Sequence, residues 1–139
     1  MKSSVLYRMA SVLLVIFAAL HAFGFRQTDP SWGVDSLLAS MQSIHFEVFG
    51  SNRTYWDFFV GFGFVVSVFL VFAAVLAWQL GRLGSATLAL MRGITWPFAM
   101  CFVAVTILLG SYVFIVPVVF SALISLCLIG AAWLTSTAA

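Results

Sequence analysis

Long apolar runs separated by short polar connections organise this chain. Residues 9 to 25 contain no Lys, Arg, Asp or Glu, and neither do residues 58 to 81, a run that ends at Arg82. After Arg92 no charged side chain appears up to Ala139. As a single helix that last stretch would be roughly 70 Å long at about 1.5 Å per residue, more than twice a hydrocarbon core of about 30 Å. It must therefore fold back once. Gly110 and Pro117 mark the turn, since proline disfavours helix at the residue before it and suits the first turn of the helix that follows. Four spans result, near 9–25, 56–81, 93–112 and 117–136, joined by a connection over 26–54 that is long for a link between neighbouring helices.

Within that connection, Val34, Leu37, Leu38, Met41, Ile44, His45 and Val48 recur at helical spacing, with Ser36, Ser40, Ser43 and Glu47 on the opposite face. This predicts an amphipathic helix over 34 to 49, capped by Asp35, stopped by Gly50, and lying on the outer leaflet or over the bundle mouth. The expected architecture is thus an all-α integral membrane protein, a single domain. It is a four-transmembrane-helix bundle with an amphipathic outer helix between spans one and two.

Composition fixes the solvent. With 64% hydrophobic and 7% charged residues, the chain has far too little polar cover for a water-soluble domain of this size. Lys2 and Arg8 also give the N-terminal segment the look of a signal peptide, but Leu20 stands where a small residue would precede a cut after Ala22, so the segment is counted as span one. Lys2, Arg8, Arg82 and Arg92 fall on one side of the predicted spans, which places both termini in the cytoplasm and the 26–54 loop in the periplasm or exterior, the expected setting being a bacterial inner membrane. Trp32, Trp56, Trp78, Trp96 and Trp133 fall near span ends, as interfacial tryptophans do. The small, scattered net charge of +2 excludes nucleic acid as a partner.

The chemistry is concentrated. All four acidic residues, Asp29, Asp35, Glu47 and Asp57, and the histidines His21 and His45 lie between positions 21 and 57. His21, His45, Asp29 and Asp57 are the candidate catalytic residues, for acid-base work that needs groups tuned toward neutral pH within hydrogen-bond reach of a substrate. Arg26, Glu47, Arg53, Tyr55 and Trp56 are candidate ligand-binding residues. Bland readings stand beside these. His45 fits either the edge of the apolar stripe or a polar pocket beneath it. His21, near a span end, can simply reach water. Asp57 completes a capping box with Thr54, and Arg53 and Arg26 suit interfacial ion pairs with Asp57 or Glu47 and with Asp29. The histidines lack a local metal-ligand spacing, and neither a metal nor a cofactor is expected. Cys101 and Cys127 read as buried packing residues, and Gly63 and Ser67 as a site of close helix approach.

The stretch FGFRQTDPSWG through SIHFEVFGSNRTYWDFFVGFGF resembles a family of small, uncharacterised bacterial four-helix membrane proteins, which implies the fold and no activity. The order of His21 near the end of span one, Asp29 just after it, an amphipathic outer helix and an aromatic start to span two also resembles the EXPERA group. That group includes the emopamil-binding sterol isomerase and the sigma-2 receptor. The resemblance implies a cavity reached from the lipid in which His21, Asp29 and Asp57 meet a sterol-like or amine ligand. The expected function is therefore binding of a hydrophobic or lipid-like small molecule near the outer membrane face, with isomerase-type acid-base chemistry. The alternative is a non-catalytic accessory or assembly subunit whose partner is another membrane protein or a second copy. A transporter or channel fits least, because spans three and four have no ionisable residue to line a path.

Overall fold

The computed structural model describes residues 2–136. Helix α1 spans Lys2–Gly24; after it come a 3-10 turn at Pro30–Trp32, helix α2 at Asp35–Ser43, and strands β1 at His45–Val48 and β2 at Ser51–Thr54. Helices α3 (Tyr55–Leu80), α4 (Ser85–Leu90), α5 (Arg92–Tyr112) and α6 (Ile115–Ser136) complete the order. Among the described residues, α1, α3, α5 and α6 are long and apolar enough to cross a membrane. The break between α5 and α6 falls at Val113 and Phe114, where Val113 turns extended and Pro117 follows in the first turn of α6. Within α5, Pro97 supplies no amide hydrogen for the carbonyl one turn earlier, at Gly93.

The segment 34–54 differs from the expected long amphipathic helix. Helix α2 stops at Ser43 and buries no residue, and Asp35 sits in its first turn, not at its cap, which is Val34. The following residues form an antiparallel hairpin that pairs His45 with Thr54 and Val48 with Ser51. Its two-residue loop, Phe49 and Gly50, has positive φ at both positions (50° and 77°), the requirement of a type I′ turn. Ile44, Phe46 and Val48 alternate with His45 and Glu47, and that period of two prevails over the weaker helical period once a tight turn is available.

The chain divides into two compact units, and α1 and α3 each contribute to both. The first comprises residues up to Phe17 and from Leu70 onward. Here α1 and α3 run antiparallel with small side chains between them. The Ser4 hydroxyl donates to the Gly81 carbonyl, and the Ser11 hydroxyl to the Ala74 carbonyl at 2.8 Å. A Cβ at Gly81 would press on Arg8 Cγ and the Ser4 carbonyl at 3.1 and 3.2 Å, so glycine permits this approach. Helices α5 and α6 are tied by hydroxyls: Thr106 Oγ1 lies 2.8 Å from Ser121 Oγ and 3.1 Å from Ser125 Oγ. Tyr7, Leu14, Leu88, Ile124 and Leu128 are fully buried in this core. Cys101 is exposed and Cys127 half-buried, which corrects their reading as buried packing residues; α5 turns Cys101 outward, away from the α5–α6 seam.

The second unit, Ala18–Phe69, packs by rings. Phe25 lies directly over Gly63, where a Cβ would overlap its ring. The same ring stacks on His21 (centroids 5.3 Å apart) and meets Phe64 edge-on at 5.4 Å. At Gly63 the space is taken by the Phe25 ring, which follows the end of α1, and not by the closely approaching helix expected at Gly63 and Ser67.

Candidate functional site

The hairpin and the start of α3 form one continuous piece. Strand β2 ends at Thr54 and α3 begins at Tyr55, and the junction is a capping box. The Thr54 amide donates to Asp57 Oδ2 at 2.8 Å, while the Asp57 amide donates to Thr54 Oγ1 at 3.2 Å. Phe46 anchors the hairpin on the helix through Tyr55 (centroids 5.0 Å) and Phe58 (5.6 Å). This arrangement fixes Arg53 and Asp57 at the head of α3. Both line a shallow open groove of about 280 Å³ that continues along the helix over Phe58, Gly61, Phe62 and Val65. Gly61 forms its low point, because a Cβ there would meet nothing within 4 Å. Arg53 Nη1 donates to the Asn52 carbonyl at 2.8 Å, and the other guanidinium hydrogens remain for a ligand. Both His45 and Arg53 lie within electrostatic reach of the Asp57 carboxylate.

The remaining candidates are distributed as follows. His45 is exposed on β1, its Nδ1 3.1 Å from Asn52 Oδ1 across the hairpin, where the carbonyl oxygen accepts from the ring N–H. It belongs to a hairpin and not to the apolar face of a helix, because the helix has already ended. His21 is half-buried with Nδ1 3.0 Å from Ser67 Oγ. The Ser67 hydroxyl directs its one hydrogen to the Gly63 carbonyl at 3.1 Å, so the His21 Nδ1–H is the donor to Ser67. Each histidine is thus bonded to a neutral partner. Asp29 caps the 3-10 turn, accepting from the Ser31 amide at 2.8 Å. Hydrogen bonds from the Ser31 side chain and backbone hold its carboxyl below the ordinary aspartate range, outweighing a small opposing effect of desolvation. Arg26 lies over the rings of Phe25 and Phe64 (5.5 and 5.0 Å), so the expected partner Asp29 is replaced by aromatic faces. Trp56 is half-buried against Phe59, Tyr55 is exposed beside Phe46, and Glu47 is exposed opposite Asn52.

No protein-family model, curated protein or solved structure matches the chain. The site is read from its own residues.

The structure thus brings His45, Arg53, Tyr55 and Asp57 to the hairpin–α3 junction, with Glu47 on the same hairpin. His21 and Arg26 lie in the ring cluster around Phe25, and Asp29 lies in its own turn. Among the described residues no group of three His, Cys, Asp or Glu side chains is placed to hold a metal ion. The residues that sequence reasoning missed are Phe46, Phe58, Gly61, Phe62 and Val65. A signal for the groove was present: Phe58, Gly61, Phe62 and Val65 recur at helical spacing directly after Asp57, with a glycine in the middle of an aromatic face.

Proposed function

We propose that the protein is an integral membrane bundle of four spans, both termini cytoplasmic and the 26–54 connection on the periplasmic side of a bacterial inner membrane. In this reading it binds an amphiphilic, lipid-like molecule. The apolar part lies along Phe58, Gly61, Phe62 and Val65, and the polar end meets Arg53 and Asp57. The supporting observation is the groove itself, an apolar trough with one cation and one carboxylate at its head. Binding sites for small molecules combine these parts, apolar walls for affinity and a few polar groups for orientation. The proposal is for binding without catalysis, because neither histidine lines the groove. Native mass spectrometry of the protein purified in mild detergent tests it. The wild type retains a small amphiphile. Gly61→Leu, which puts a side chain into the groove at a position where a Cβ meets no protein atom within 4 Å, releases it while the helical circular dichroism is kept. Equal retention by wild type and Gly61→Leu contradicts the reading.

An accessory-subunit role is the second reading, and Phe49 favours it. This side chain sits at the hairpin tip, 103% exposed, in a positive-φ position where Asn or Gly is the usual residue. A large apolar side chain held there suits contact with a partner. Phe49→Asn keeps the turn, and loss of a stoichiometric copurifying protein in that variant would select this reading.

A further inference from the structure

The first unit carries a second groove, and its charge is one-sided. Residues up to Phe17 and from Leu70 onward include Lys2, Arg8, Arg82 and Arg92 and no Asp or Glu, since the four carboxylates fall between 29 and 57. The groove, of about 380 Å³, runs between α1 and α3, with Val12, Val15 and Ile16 on one wall and Val71, Val75 and Trp78 on the other. Its floor is Ser11 and Ala74, both buried and joined by the Ser11 hydroxyl to the Ala74 carbonyl. Small residues at the floor and branched or aromatic ones at the rims make a trough of acyl-chain character. At one end the Arg8 guanidinium lies over the Trp78 ring, 5.6 Å from its centroid. Arg8 is itself exposed. Arg82 follows four residues after Trp78, where α3 has ended.

We propose that this groove binds one acyl chain of an anionic phospholipid, with the lipid phosphate held by Arg8 beside Trp78. Two features select this occupant. The walls offer an acyl chain apolar contact, and their only hydrogen-bonding side chains are the already engaged Ser11 and the indole of Trp78 at the Arg8 end. The end offers a guanidinium, which suits phosphate through paired N–H donors, in a unit without a carboxylate to oppose it. The α3 groove of the second unit differs, because Asp57 stands beside Arg53 there and an anionic headgroup would meet repulsion.

The test uses the full-length protein in mild detergent, titrated with dioleoylphosphatidylglycerol or dioleoylphosphatidylcholine and read by native mass spectrometry. Adducts of the anionic lipid are expected to exceed those of the zwitterionic lipid roughly fivefold, the ratio that about one Lys or Arg contact with an anionic surface supplies. Arg8→Gln removes the excess, and Arg92→Gln, which changes the unit's charge equally away from the groove, keeps it. A phosphatidylglycerol with brominated acyl chains quenches tryptophan fluorescence in the wild type, and the quenched component disappears in Trp78→Phe. Equal adducts of the two lipids, an equal loss in Arg8→Gln and Arg92→Gln, or unchanged quenching in Trp78→Phe would each overturn the proposal.

Discussion

The two ends of α3 are packed by opposite means. Toward its C-terminus, in the first unit, α3 presents Ala73, Ala74 and Ala77, all buried, and its Ala74 carbonyl and that of Gly81 just beyond it accept hydroxyls from α1. Toward its N-terminus, in the second unit, it presents aromatic side chains, and the one close approach, at Gly63, is filled by the Phe25 ring. Between apolar helices in lipid, small residues gain dispersion contact by bringing backbones together, and hydroxyl-to-carbonyl bonds add a modest increment. Rings fill space without that closeness. Bulky ring packing beside an uncovered glycine leaves open space at Gly61, whereas the small-residue end holds its helices close. The two ends therefore carry different grooves, one over Gly61 headed by Arg53 and Asp57, the other over Ser11 and Ala74 headed by Arg8.

The sharpest way to break this contrast is to compare two glycines of one helix. Gly63→Leu forces the Phe25 ring out of its stack with His21 and costs about 1–3 kcal/mol, the usual range for overpacking. At Gly61 a Cβ meets nothing within 4 Å, so Gly61→Leu leaves stability unchanged or slightly raised, since leucine favours helix over glycine. Denaturation in mild detergent, followed by circular dichroism, separates the two. If both glycines tolerate leucine equally, the ring packing described for the second unit is wrong.

Smaller effects sharpen the hydroxyl side of the comparison. Thr106→Val breaks the cluster with Ser121 and Ser125 and should cost between about 0.6 and 1.7 kcal/mol, the average and upper values for interhelical hydrogen bonds in membranes. Ser11→Ala removes a single hydroxyl-to-carbonyl bond and should cost about 0.6 kcal/mol. A reversed order would mean that the α1–α3 seam depends on that bond more than on its small residues.

The smallest effect is the pH response of Asp29. Its carboxyl is held low by Ser31, so the capped turn is fully stabilised above the unfolded carboxyl pKa of about 3.9. That contribution is lost as the pH falls through the lower folded value. The indole resonance of Trp32, the last residue of the capped turn, should titrate with a midpoint below the ordinary aspartate range, and Asp29→Asn should abolish the titration. A midpoint at or above the ordinary value would contradict the cap.

Much of the helical framework is legible in the sequence, because long uncharged apolar runs coincide with the four long apolar helices. The α5–α6 break was readable from Gly110 and Pro117, and the Thr54–Asp57 box from its spacing. The hairpin is hard to read because His45 also fits an apolar helical stripe. The alternation from Ile44 to Val48, with Gly50 just before the second strand at Ser51, carries the competing signal. Helix α4 is too short to stand out by period. The partners of His21 and Arg26 could not be read at all. They depend on the register between α1 and α3, which brings Ser67 to the imidazole and aromatic faces to the guanidinium.

Photo-crosslinking with a diazirine-bearing acyl amphiphile, followed by peptide mapping, tests directly the proposal that an amphiphile lies in the α3 groove with its polar end at Arg53 and Asp57. The expected result is labelling concentrated at Phe58, Phe62 and Val65 and lost in Gly61→Leu. Labelling spread evenly over the exposed apolar faces of α3 and α5, unaffected by Gly61→Leu, would contradict it.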